Sequence, residues 1–198
     1  MWDTNSGQEA GLEPVDKTIE RTYNLSVLLA SESSGLLEMY TELQGFSETP
    51  PALPASRLWP PVAPGEGWAR ERLLRHYRGQ CGLLARRLSR LLAEQLERSP
   101  GGRGFHRRMQ GAVTGLEGLQ ANLSRLLSSL GPPEETEEEE EEETEEEEEE
   151  TEEDGPASGA GHWEAKVKGY QVIAHYSHWI GRTARDLERL RDGLGPEA

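Results

Sequence analysis

His175 and His178 stand three residues apart, with His162 upstream. Imidazoles at that spacing share one face of a helix, and such a face can bind zinc. The spacing places no third ligand, so we read a surface or edge role. With Tyr176 and Trp179 the pair makes an aromatic patch suited to contact with a partner. Cys81 is the single cysteine, so no internal disulfide forms. It falls on an apolar stripe, where a buried, unreactive thiol is expected. Ser99-Pro100-Gly101-Gly102 has the glycines of a phosphate loop. No strand precedes it and no Gly-Lys-Ser/Thr follows, so it reads as a turn. Asn24-Leu25-Ser26 and Asn122-Leu123-Ser124 match the glycosylation pattern. Both lie within helical periodicity and are expected to stay unmodified. No nucleophile motif, metal cluster or phosphate loop stands out, so neither catalysis nor a cofactor is expected.

The charge is unevenly spread. Of 37 acidic residues, 17 Glu and one Asp lie between Glu134 and Asp154. Setting those 18 aside leaves 19 acids against 21 Lys plus Arg, so the remainder carries +2 although the whole chain carries −16. The run 134–154 is low-complexity and self-repelling, and it is expected to be a disordered insertion. Three roles stay open for it: a solubilising insert, a segment that folds back on the arginines of the second helix, or a binder of basic partners. Residues 1–14 are expected to be a disordered N-terminus. They show no basic region followed by an apolar one, so no ordinary signal peptide is visible. No segment approaches the ~18 apolar residues of a membrane span. A soluble monomer is expected, with no nucleic-acid partner and no membrane insertion.

The positioning elements are long helices. Apolar residues recur at three-and-four spacing over about 15–44, 68–98, 104–130 and 162–193, within a domain 15–194. The first stripe reads Ile19, Thr22, Leu25, Leu28, Leu29, Leu36, Met39, Tyr40 and Leu43. The second reads Leu74, Tyr77, Cys81, Leu84, Leu88 and Leu91, widened by Leu73, Leu92 and Leu96. The links between segments are long, short and long. A short link forces antiparallel neighbours, while a long one lets parallel helices be joined. The prediction is an all-α, long-chain, up-up-down-down four-helix bundle with two long crossover loops. Pro50, Pro51, Pro54, Pro60, Pro61 and Pro64 exclude helix from the first crossover. Leu53, Leu58 and Trp59 can pin it to the bundle.

Two surface features follow from these positions. Lys166 and Lys168 lie in the first turns of the fourth helix, where cations face the positive end of its dipole at a cost of roughly 0.3–1 kcal/mol each. That invites a binding role for Lys166 and neighbouring Trp163; alternatively, the acidic run offsets the charge and Trp163 caps the core. Gly111, Gly115 and Gly118 line a flank of the third helix. They serve either close packing against a neighbour or a smooth surface for a partner's backbone.

The segments Lys17–Leu29 and Leu37–Phe46, with Arg57-Leu58, resemble the cardiotrophin branch of the interleukin-6 cytokine family. So do Trp163–Gly169, Trp179-Ile180, Arg182-Thr183 and Asp186-Leu187. The resemblance implies a secreted, extracellular ligand that assembles glycoprotein 130 and the leukaemia inhibitory factor receptor and signals through JAK-STAT. Some members lack an ordinary signal peptide. The family's Phe-x-x-Lys pair, which engages the leukaemia inhibitory factor receptor, has Trp163 in the Phe position here and Lys166 matching the Lys. Helices one and three, with Gly111, Gly115 and Gly118, would meet glycoprotein 130. Trp59, Arg182 and Arg185 would meet a non-signalling alpha receptor. A second reading, from the acidic run, is an intracellular adaptor or chaperone for basic partners. If the glycine row is a receptor surface, Gly115→Arg should abolish receptor binding and leave helicity intact.

Overall fold

A computed structural model describes residues 15–46, 69–99, 101–130 and 159–193. The N-terminus 1–14, the first crossover with Trp59, and the acidic run lie outside the described residues. Four helices make up the described chain: α1 (Val15–Gln44), α2 (Arg70–Arg98), α3 (Arg103–Leu130) and α4 (Gly159–Arg191).

The contacts fix the directions. Along α1 and α3, Leu43 meets Gly102, Met39 meets Gly104 and Leu25 meets Gly118, so the two run antiparallel. Tyr23 donates to Glu188 at 3.1 Å while Tyr40 donates to the Lys166 carbonyl at 3.0 Å, so α1 and α4 are also antiparallel. Tyr77 pairs with Asp186, and Leu91 sits by Gly169, which makes α2 antiparallel to α4. The Gln44 amide donates to Gln95 at 2.6 Å, joining the C-terminal ends of α1 and α2, which are parallel. α1 packs on α3 and α4, and α2 packs on the same two, while the diagonal pair α1 and α2 meets through the Gln44–Gln95 bond and not by packing along its length. This is the up-up-down-down bundle. Each long link joins parallel, diagonal helices, and only the turn at 99–102 joins antiparallel neighbours.

The core is a continuous cluster. Leu74, Tyr77, Cys81, Leu84 and Leu88 of α2 interleave with Phe105, Met109, Leu116, Leu119 and Leu123 of α3. Fully burying each such leucine stabilises by about 1.5–3 kcal/mol. Burial holds Cys81 fully protonated by pushing its thiol well above the usual range.

Two apolar positions fall elsewhere than the periodicity predicts: Leu28 and Leu96 are half exposed, while Leu25, Met39 and Leu43 of the α1 stripe are only partly buried. The buried face of α1 is rotated onto Thr18, Thr22, Ser26 and Ser33. Their hydroxyls bond back to their own helix, Thr22 to the Thr18 carbonyl at 2.5 Å and Ser26 to the Tyr23 carbonyl at 2.7 Å. The polar groups are thereby satisfied, and small side chains let α1 approach α4 closely. Ser33 and Ser177 meet across that seam at 2.9 Å.

Two glycines are needed for space. A Cβ on Gly169 would strike the Tyr40 hydroxyl and lie 2.9 Å from Leu91 Cδ1. A Cβ on Gly115 would strike Leu29 of α1. Of the two readings of the glycine row, close packing therefore holds at Gly115. This position is not an open receptor surface, and Gly115→Arg would separate α1 from α3 instead of sparing the helices. Gly118 touches Leu25, and only Gly111 faces open space. Gly169→Ala should therefore destabilise the bundle by about 1–3 kcal/mol through overpacking. Gly111→Ala should stabilise it by roughly 0.5–1 kcal/mol, because only backbone entropy changes there. Urea unfolding of the two variants checks the opposite signs.

Candidate functional site

The site is built where α1 ends and α4 begins. Gly45 takes φ +69°, a left-handed conformation that glycine adopts without a Cβ penalty. Its N–H reaches the Glu42 carbonyl and the Phe46 N–H reaches the Thr41 carbonyl, both at 3.1 Å. This paired capping ends α1 and folds Phe46 back against Tyr40, with ring centroids 6.4 Å apart. Lys166 closes the same end: its Nζ donates at 3.0 Å to the Gln44 carbonyl, one of the groups that a helix end leaves unpaired. An ammonium at the negative end of the α1 dipole is favourably placed. The expected cost on its own helix does not arise, because α4 begins at Gly159 and Lys166 lies about two turns in, past the first turn where the dipole acts.

Phe46 carries the exposed part of the corner. Trp163 stacks edge-on against it at 5.4 Å, and Tyr170 does so at 6.0 Å. Each such pair contributes ~0.5–1.5 kcal/mol beyond burial. Trp163 nevertheless remains 52% exposed. It does not cap the core; it stands on an aromatic base with one side in water. Lys168 is exposed one turn further on.

The other expected residues lie apart from this corner. Arg182 is half-buried with Nε 3.7 Å from Asp186, and Arg189 approaches the same carboxylate at 3.8 Å. The Tyr77 hydroxyl also donates to Asp186. Burial and that carboxylate push the Tyr77 hydroxyl well above its usual range. Arg185, one residue before Asp186, is exposed. These arginines sit at the far end of α4, about 30 Å from Trp163 at the helical rise. Gly111 lies on α3, again away from the corner.

The aromatic patch expected around the histidines is a correction. Tyr176 is 1% exposed and Trp179 8%, so both rings belong to the core. Tyr77 meets Trp179 edge-on at 5.9 Å there. Of the pair, His178 is exposed and His175 half-buried. Among the described residues no group of three or more His, Cys, Asp or Glu is placed to hold a metal ion. Asn122 of the second glycosylation pattern is buried and accepts from Arg125 at 3.4 Å, whereas Asn24 is exposed. The sequence reading missed Phe46 as the base of the site and Gln44 as the partner of Lys166. The signal for both was the Gly45 stop, which forces the next residue back onto the helix.

No family model matches the chain. Human cardiotrophin-1 is 28% identical over 208 aligned residues, covering 98% of this chain and 95% of that protein. Rat cardiotrophin-1 is 29% identical, covering 92% and 89%. Chimpanzee cardiotrophin-2 is 26% identical, covering 92% and 87%. The chain is cardiotrophin-like. The similarity runs through all four helices, so the α1–α4 corner lies within the aligned length.

His175 supplies a pH dependence. Burial first, then Arg87 and His178, lower its pKa from 6.5 to about 4. The unfolded chain takes up this proton near the ordinary value, while the folded chain resists it. The unfolded state therefore binds more protons between the two values, and stability falls as pH drops through that window. The bundle should lose stability progressively from pH 6.5 towards pH 4 through this residue. His175→Gln should flatten that part of the profile, as followed by urea midpoints across pH.

Proposed function

We propose that this cardiotrophin-like chain is a secreted cytokine that assembles receptor chains of the glycoprotein 130 and leukaemia inhibitory factor receptor type and signals through JAK-STAT. The observation that carries the reading is Trp163, a large aromatic half exposed on a rigid aromatic base. Tryptophan is enriched among residues that dominate binding energy, and a base that holds its rotamer lowers the entropy lost on contact. Lys166 supports the corner from beneath through Gln44 and so positions the tryptophan.

A second surface is formed by α1 and α3. Leu28 is half exposed one turn after Leu25, which touches Gly118; Val27 is exposed beside it, and Gly111 is open on α3. This exposed apolar strip suits the approach of glycoprotein 130. Arg185, with Arg182 behind it, offers a basic edge to a non-signalling receptor. The ligand acts as a monomer, because separate surfaces on one bundle suffice to gather different chains.

Purified protein applied to cells bearing both receptor chains should raise STAT phosphorylation. Trp163→Ala should raise the half-maximal concentration roughly 30-fold, corresponding to a loss of about 2 kcal/mol. Lys166→Met should weaken both potency and thermal stability, since it loosens the corner. No response to the unmodified protein, or full potency for Trp163→Ala, overturns the reading.

A further inference from the structure

The turn between α2 and α3 gathers four arginines. Arg98 ends α2, and Arg103, Arg107 and Arg108 open α3. All four are exposed. Among the described residues none of the four makes an ion pair. Arg103 and Arg107 share one face of the helix and stand about 6 Å apart along its axis. Arg108 lies along α1, with its guanidinium over Gly35. The first turn of α3 holds no acid, and the single carboxylate of the helix, Glu117, comes only at its middle. Arg103 thus faces the positive end of the helix dipole, a placement that folding alone does not favour.

The start of this helix is open to an anion. Gly102 precedes the first turn and has no side chain to cap it. The Arg103 N–H donates to the Gly101 carbonyl at 3.0 Å, and the His106 N–H to the Gly102 carbonyl at 2.9 Å. Among the described residues no acceptor faces the N–H groups of Gly104 and Phe105. Gly101 and Gly104 are exposed, and a Cβ on Gly101 would meet nothing, so a ligand can reach the backbone. His106 is aimed at the same place. It is 9% exposed, and its Nε2 is buried with no hydrogen-bond partner. That nitrogen faces Gly102, 3.3 Å from the point a Cβ would take. The Leu43 methyls stand 3.2 and 3.3 Å from the same point, and they are the flexible end of a side chain that can move aside. A buried imidazole nitrogen that can donate is satisfied by the oxygen of an anion.

We propose that the start of α3 binds the sulphate groups of a sulphated polysaccharide. One sulphate takes the N–H groups of Gly104 and Phe105, with Arg103 above it and His106 beneath. Arg107 and Arg98 hold the groups that follow along the polymer. A planar guanidinium pairs with two oxygens of such a group at once, which suits arginine to this role. Nucleic acid fits less well, because Phe105 and His106 are buried and leave no ring at the helix start to stack a base. The site uses a different pair of helices from the Trp163 corner, and the inference does not depend on the signalling role.

The test titrates a heparin oligosaccharide into the isotope-labelled full chain and follows amide and imidazole shifts by NMR. The amides of Gly104 and Phe105 and the Nε2 of His106 should shift most. The double variant Arg103→Gln, Arg107→Gln should weaken binding roughly tenfold in calorimetry. Its log–log salt dependence should fall by ~2, about one for each cation lost. The same variant should keep or raise its urea midpoint, because it removes cations from the positive end of a dipole. Trp163→Ala should bind the oligosaccharide as the unmodified chain does. No shift at the start of α3, shifts centred on another helix, unchanged affinity in the double variant, or equal affinity for single-stranded DNA of the same charge each overturns the proposal.

Discussion

Tyr40 lies at the junction on which the rest of the bundle depends. Its ring is wholly buried against Phe105 and Phe46, yet its hydroxyl needs a hydrogen-bond partner, because an unmet buried donor costs about 1–3 kcal/mol. The Lys166 carbonyl on α4 supplies it. The ring reaches α4 only because residue 169 is glycine. Desolvation pushes the phenol well above its ordinary range and so favours the protonated, donating form. One side chain thereby fixes the distance between α1 and α4, the register of the two helices and the end at which they meet.

The exposed corner inherits that precision. Tyr40 orients Phe46, Phe46 orients Trp163, and Lys166 ties the last carbonyls of α1 to the first turns of α4. Its ammonium lies at the negative end of the α1 dipole, about two turns into α4. The opposite end is organised by charge: Asp186 gathers Tyr77, Arg182 and Arg189, and Arg191 lies over the Tyr23 ring at 4.1 Å. An aromatic end and an ionic end thus present different chemistry on one bundle.

Much of the fold was legible from residue types. The stripe of α2 from Leu74 to Leu91 predicts its buried face because those positions are apolar, while buried Gln80 and Gln95 escape a hydropathy pattern. α1 was harder to read. Its seam toward α4 is lined by serines and threonines, whose hydroxyls bond to their own helix and so behave as small core residues. A hydropathy pattern scores them as polar and turns the stripe toward Leu28. The histidine patch failed for the complementary reason: Tyr176 and Trp179 are amphipathic residues, and spacing alone does not say which side of them is inward.

By itself, the sequence determined the number of helices, the stop at Gly45, the diagonal topology and the concentration of acid in one link. These are local or additive properties, set by propensity, periodicity, chain length and charge. The tertiary structure decided what each surface residue does. Lys166 became a cap for α1, Gly115 a packing contact and Trp163 an exposed ring, because each outcome depends on which atom of a distant helix arrives beside it. The long, short and long spacing of the links brings those helices together, but only their packing selects the contacts.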